Sequence, residues 1–424
     1  MRVLVINTND IVGGSAIAAY RLCKGLELFY NNVEFYFVVG NKRGNDSNVF
    51  CTRKKMREFW TERLLDKYTN KLGLQYFWFP YSSKSILYHV KKLAPDIIYL
   101  RNIHGGFFKT SLITKLSILA PIVWTLSDMW SFTGHCAHSF GDMSWKYMES
   151  GCPDLSIYPA IGINTGKWLL KRKQQIYKNA NITIVTPSKW LFNLAKQSPV
   201  FNNKDLYQIY NGFDLDLFKP KDKSSCRVAL NIPPKSKVIM FSAEYLSKSN
   251  PWKGGTDLIH IMKNISQNTN EMIHLLITGE GNLNDLYAFD NIVVHKIGYI
   301  QNDIFMATCY SASDLLIYPT RADNLPNVLI EAISCGTPCI TFDVGGCKEI
   351  ITNGTNGFVV DCFDINLFSR RVIEMLKNRL KQQIFAANAR QSAENKFTLK
   401  KMCCSYYNLF KMTADKYSTH FIQT

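Results

Sequence analysis

The sequence predicts an α/β chain of two parallel-sheet domains, and three observations carry that expectation. Short β-rich runs alternate with segments of helical composition along nearly the whole length, which is the pattern of successive βα units. The 424 residues are more than one hydrophobic core usually organises. Turn formers and acidic residues interrupt the alternation at mid-chain, in NGFDLDLFKP over Asn211 to Pro220, where one series of units gives way to another. The expected division is residues 1–205 and 206–400, each a Rossmann-like domain, with a helix at about 400–420 packing back on the first.

Taken in order, a first strand is expected over Arg2 to Thr8, then a loop from Asn9 to Ser15 and a helix from about Ala16 to Phe29. A strand, glycine turn and helix present backbone N–H groups to an anion. The loop DIVGGSA is not GxGxxG, so a plain turn that needs flexible Gly13 and Gly14 is an equal reading. Strands follow at Val33 to Val39, Asp96 to Leu100, Pro121 to Leu126 and Asn181 to Thr186, with helical segments Leu87 to Leu93, Leu112 to Leu119 and Gly166 to Lys178. The second series places strands at Val238 to Ala243, Ile273 to Thr278, Ile292 to Lys296, Leu315 to Pro319, Cys339 to Phe342 and Gly357 to Val360. Its helices are expected at Gly255 to Ile265, Asp303 to Ser311, Asn366 to Lys377 and Leu380 to Lys396, ahead of a helical tail from Leu399 to Tyr417.

Composition narrows the function classes. Hydrophobic residues make up 46% and charged residues 20%, the balance of a globular protein. Twelve cysteines with no CxxC read as reduced thiols in the cytosol. The N-terminus runs straight into a strand without the parts of a signal peptide, and no apolar run approaches membrane-spanning length. Residues 1–200 carry 26 basic against 12 acidic residues, a net of +14, while the remainder carries 24 against 21, a net of +3. The densest clusters are Arg53, Lys54, Lys55 and Arg57, then Lys167, Lys171, Arg172, Lys173 and Lys178. They read either as ordinary solvated helix faces or as peripheral contact with an anionic inner membrane. Nucleic acid is not expected, because no zinc-finger, RNP-like or basic-zipper pattern is present.

The most informative stretch is YPTRADNLPNVLIEAISCGTPCITFDVGG, Tyr318 to Gly346. Asp323 and Glu331 stand eight positions apart, with Asn324-Leu325-Pro326 between them and an apolar helical run around Glu331. A helix starting near Pro326 would put Asp323 just ahead of its N-terminus and Glu331 about a turn and a half inside. Both would then face a ligand at the mouth of a parallel sheet, where open α/β folds bind nucleotides. Spacing alone allows the plainer reading of an N-cap and an exposed helix residue.

Neighbouring segments supply the context. FSAEYLSKSNPWKGG around Lys253, LLITGEG at Leu275 to Gly281, KIGYIQNDIFMATCYSASDLLIYPT from Lys296 to Thr320 and FDVGGCKEII resemble the retaining, nucleotide-sugar-dependent glycosyltransferases of family 4. GGSAIAAYRL, RNIHGGFF, WTLSDMWSFTGHC, VTPSKWL and IYNGFDLDLFKP resemble a branch of that family that serves bacterial surface polysaccharide or O-antigen (lipopolysaccharide) assembly. The resemblance implies a GT-B fold, two Rossmann-like domains facing across a deep cleft, and a nucleotide diphosphate-sugar as donor. It makes Lys253 the lysine that holds the diphosphate. It assigns Asp323 and the backbone of Asn324 and Leu325 to the sugar or distal phosphate, and Glu331 to the ribose hydroxyls. Gly13 and Gly14 would let the first domain approach the donor, Gly279, Glu280 and Gly281 would form a turn beside the diphosphate, and Ile297 to Ile300, with Tyr299, would border the base. An arginine common in the family falls on Glu244 here, a gap that Lys248 would fill.

On the acceptor side the resemblance points to Trp124-Thr125-Leu126-Ser127-Asp128, where the branch commonly has histidine at Ser127. Serine does not carry protons near neutral pH as imidazole does. His104 and His135 or His138 are the nearby candidates for lining that site, and Asp128 either contacts the acceptor or caps a turn. His135, Cys136, His138 and Cys152 fall close together, yet their spacings match no common structural zinc pattern, and no cofactor or metal is expected. The implied enzyme is a cytoplasmic hexosyltransferase, peripheral on the inner membrane, acting on a glycan or lipid-linked oligosaccharide. A GT-B-like sugar-nucleotide epimerase and a non-catalytic nucleotide-sugar binding protein stay open beside it.

Overall fold

The computed structural model describes residues 1–246 and 252–422, and the chain divides into two compact units. Lys248 lies outside the described residues. The first unit comprises Met1–Gly212 with Lys400–Thr424, and the second Phe213–Leu399.

The first unit is built on strands β1 (Arg2–Asn9), β2 (Glu34–Asn41), β3 (Val49–Cys51), β4 (Ile97–Leu100), β5 (Ile122–Thr125), β6 (Ile182–Thr186) and β7 (Leu206–Gln208). They form one parallel sheet in the order β3-β2-β1-β4-β5-β6-β7. Helices α1 (Gly14–Phe29), α2 (Met56–Lys71), α3 (Pro80–Leu93), α4 (Leu112–Leu119), α5 (Gly166–Lys178) and α6 (Lys189–Lys196) connect them. The central strands are buried on both faces, so VLVI of β1 and IIYL of β4 are continuous apolar runs and not alternating ones.

The second unit runs α7 (Lys223–Ala229), β8 (Lys237–Leu246), α8 (Gly255–Asn268), β9 (Ile273–Gly281), β10 (Ile292–Gly298), α9 (Asp303–Ala312), β11 (Leu315–Tyr318), α10 (Asn327–Ser334), β12 (Cys339–Phe342), α11 (Cys347–Ile350), β13 (Gly357–Val360), α12 (Ile365–Lys377) and α13 (Arg379–Lys396). Its parallel sheet has the order β10-β9-β8-β11-β12-β13. Asn302, Asp364 and Asn378 cap α9, α12 and α13 by accepting a backbone N–H with their side chains. In both sheets the order of strand addition therefore reverses at one place, between β1 and β4 and between β8 and β11. In doubly wound sheets that reversal opens a crevice at the carboxyl ends of the strands.

Three expectations shift. The domain boundary falls after Gly212 and not at 205, because β7 pairs with β6 and completes the first sheet. Gly279-Glu280-Gly281 is the end of β9 and not a turn, since pairing resumes beyond a bulge, with Tyr245 opposite Glu280 and Leu246 opposite Gly281. Pro326 precedes α10 as its N-cap residue and is not the first helical position. The chain re-enters the first unit as α14 (Leu399–Ile422), whose Tyr406 and Phe410 rings pack on Tyr99 while the Tyr406 hydroxyl bonds Thr125.

Candidate functional site

In the second unit the loops after β8 and β11 meet at the reversal point. The Thr320 hydroxyl and the Arg321 amide both donate to the Trp252 carbonyl, each at 2.9 Å. Arg321 also forks onto the buried Asp257 carboxylate of α8, at 2.7 and 2.8 Å. These ties fix Lys253, ahead of α8, against Asp323, after β11. The Lys253 ammonium lies 2.7 Å from Asp323 Oδ2, and the Tyr318 hydroxyl donates to the same oxygen at 2.7 Å. Burial acts to lower the Lys253 pKa, but the Asp323 carboxylate more than offsets it, so the ammonium stays charged. Burial and the same carboxylate push the Tyr318 phenol upward.

Residues 323–325 are held from behind by the turn after β12. Gly345 has φ +54°, and a Cβ there would sit 1.7 Å from the Asp323 carbonyl oxygen, so a side chain would displace this loop. The Gly346 amide donates to the Asn324 carbonyl at 2.9 Å, and Leu325 is buried. Glu331 stands on α10, nearly buried, and accepts from the Tyr310 hydroxyl at 3.0 Å. Gly279 has φ +124°, and a Cβ there would lie 1.7 Å from the Ala243 carbonyl, which is how β8 and β9 approach so closely after their bulge. Glu280 is exposed at the end of β9. Tyr299, just past β10, is partly buried, and burial together with the Glu244 carboxylate raises its pKa. Sequence reasoning missed Tyr310 and the Arg321–Asp257 pair. No spacing rule announces a tyrosine or an ion pair that only positions a loop.

In the first unit Gly13 and Gly14 lead into α1, and the Ser15 hydroxyl lies 2.8 Å from that of Ser127. His104 Nε2 lies 2.7 Å from Asp128 Oδ2, while the other Asp128 oxygen accepts the Trp130 amide. Asp128 thus orients an imidazole and caps a turn at once. His104 also lines a cavity of about 450 Å³ with Thr8, Asn9, Arg53, Asp66 and Tyr158 among its walls. Four buried polar atoms of these walls, His104 Nδ1, Asp66 Oδ1, Asn70 Oδ1 and Arg53 Nε, have no hydrogen-bond partner. Each such atom is sealed from the cavity and costly to leave unpaired.

His135 is not part of that cavity wall. It is fully buried, its amide donates to the Cys152 thiol, and its ring nitrogens have no partner. His138 stacks on Trp190. Among the described residues no three His, Cys, Asp or Glu side chains converge as a metal site. The two basic clusters are not wholly solvated either. Arg53 is buried and donates to the Gly40 and Gly106 carbonyls, and Lys173 donates to those of Trp130, Thr133 and Gly134.

Residues 222–392, nearly all of the second unit, match the family model of glycosyl transferases group 1. The chain is 24% identical over 302 residues to a protein named for colanic acid biosynthesis, the glycosyl transferase WcaC of Escherichia coli (strain K12), covering 68% of each. It is also 24% identical over 267 residues to a D-inositol 3-phosphate glycosyltransferase of Mycobacterium sp. (strain KMS), which covers 60% of this chain and 56% of the relative. Among solved structures, sucrose-phosphate synthase from Thermosynechococcus elongatus superposes with a TM-score of 0.68 at 16% identity, over 97% of this chain and 98% of that one. Anabaena HepE in complex with UDP superposes with a TM-score of 0.66 at 16% identity, over 97% and 100%. The fold of the whole chain is therefore that of the GT-B glycosyltransferases, two Rossmann-like α/β domains, with the segment that matches the group 1 model in the second. No helix among the described residues is long and apolar enough to cross a membrane.

Proposed function

We propose that the chain is a retaining glycosyltransferase of the family 4 type, moving a sugar from a nucleotide diphosphate-sugar to a hydroxyl of a glycan or lipid-linked acceptor. The observation that carries the reading is the Lys253–Asp323–Tyr318 cluster at the β8/β11 reversal, inside the segment that matches the group 1 model. As the donor bond breaks, negative charge builds on the departing phosphate, and a fixed ammonium at that point stabilises it more than the ground state. Lys253 supplies that charge, a role that leaves no step needing a metal. Asp323 holds the lysine charged before donor arrives and then accepts from the sugar hydroxyls. Glu331 takes the ribose hydroxyls, with Tyr310 fixing its rotamer. Tyr299 and the segment around it border the base.

His104, oriented by Asp128, supplies the imidazole that the branch carries at Ser127, and the polar cavity beside it receives the acceptor. The UDP seen with HepE supports a nucleotide donor, and the name of WcaC supports a polysaccharide product. The reading places the protein in the cytoplasm, in contact with an anionic inner membrane where a lipid-linked acceptor would stand.

Transfer from a panel of uridine and guanosine diphosphate-sugars, run with a chelator present, tests this. Lys253→Ala and Glu331→Ala should each lower kcat/KM by about 100-fold or more, near 2.7 kcal/mol of transition-state stabilisation. Near-wild-type rates for both would sink the assignment. Release of an epimerised sugar from donor alone would replace it with an epimerase.

A further inference from the structure

We propose that the outward face of α2 (Met56–Lys71) is a docking surface for an anionic lipid bilayer. Met56, Trp60, Leu64 and Tyr68 follow one another at four-residue steps, each about 40° further round the helix, and so form one stripe. They are 71%, 51%, 66% and 63% exposed, the reverse of what burial of a helix in a domain requires. Arg63, Lys67 and Lys71 are exposed and lie along the same stripe.

The acidic residues of α2 are all engaged elsewhere. Glu58 accepts the Lys54 and Lys55 amides as part of the cap. Glu62 is fully buried and accepts from the Ser82 amide and hydroxyl. Asp66 lines the cavity beside His104. Every charge left on the outward face is positive. At the end of the helix the Gly162 amide donates to the Asn70 carbonyl and the Thr165 hydroxyl to that of Gly73. This places the loop with exposed Ile163, and α5 with exposed Trp168 and Lys171, beside the end of α2.

Apolar and basic side chains interleaved on one helix face are complementary to an anionic bilayer, which buries the former at the headgroup boundary and attracts the latter. A second copy fits poorly, since a symmetric contact would set the basic rows against each other. Nucleic acid would neutralise the charges but leave Met56 and Leu64 in water. The inference names the surface for the membrane contact proposed above, but its test requires neither donor nor acceptor and so stands apart from the transfer assay.

The full chain should co-sediment with phosphatidylcholine vesicles containing phosphatidylglycerol, not with phosphatidylcholine alone, and less at high salt. Trp60→Ser with Leu64→Ser should weaken binding about tenfold or more, as should Lys67→Glu with Lys71→Glu. Both variants should keep the wild-type melting temperature, since these side chains are exposed. Lipids brominated in the acyl chain should quench wild-type tryptophan fluorescence, and less so in Trp60→Ser. Equal binding to both vesicle types, or unchanged binding by both double variants, would overturn the proposal. So would a concentration-dependent dimer, or binding to a duplex DNA probe, lost in the same variants without vesicle binding.

Discussion

Asp128 shows how one side chain acquires two tasks. Its Oδ1 accepts the Trp130 amide, which anchors the turn, and its Oδ2 meets His104 Nε2, which leaves Nδ1 as the free position of a buried ring. A carboxylate so placed fixes both the tautomer and the orientation of the imidazole. Asp128→Asn keeps the size and the turn bond but removes the charge. Its kcat/KM for acceptor should fall about tenfold or more with donor KM unchanged, and His104→Gln should fall to the same level with no further loss in the double variant. Additive losses in steady-state kinetics would mean that the two residues act separately.

At the scale of the element, α2 is built inside out. Its inner face holds Glu62 and Asp66, and its outer face holds the large apolar residues. Burial, partly opposed by Asn70 and Arg53, pushes the Asp66 carboxyl up to about 6. A carboxyl whose folded pKa exceeds its unfolded one contributes stability that is complete below the unfolded value and lost as pH rises through the folded value. The Asp66 contribution is therefore present near pH 4 and gone above about pH 7, a change of about 2 kcal/mol. Asp66→Asn should gain on wild type in denaturant melts at pH 7.5, with the gain fading as pH falls to 4. A gain that is constant with pH would show that Asp66 is already neutral or well solvated.

At the scale of the whole molecule, the first unit is discontinuous in sequence. It closes with α14, whose Tyr406 and Phe410 cover Tyr99 of the β4 strand. Deleting one buried aromatic side chain costs about 3–5 kcal/mol. That is much of the stability of an ordinary domain. Tyr406→Ala should lower stability by about that amount, and a chain ending at Leu399 should lose the first unit's cooperative melting transition. Calorimetry of the truncated protein checks this, an unchanged two-unit melt being the contrary outcome.

Much of the fold was legible because parallel strands buried on both faces write themselves as unbroken apolar runs, which mark every strand of the second sheet and all of the first except the three-residue edge strands β3 and β7. The helix α2 was not legible, because its apolar residues face away from the core and its acidic ones toward it. Lys253, Asp323 and Glu331, the residues proposed for the donor, could be named from the sequence because they lie in segments whose order and spacing carry information. That Lys253 and Asp323 meet, that His104 is turned by Asp128, and that His135 is withdrawn into a separate buried knot were decided by the tertiary structure. The reason is distance along the chain. Residues 70 or 24 positions apart have no local rule to place them, and only the pairing of strands and the closing of loops brings their side chains within a hydrogen bond of each other.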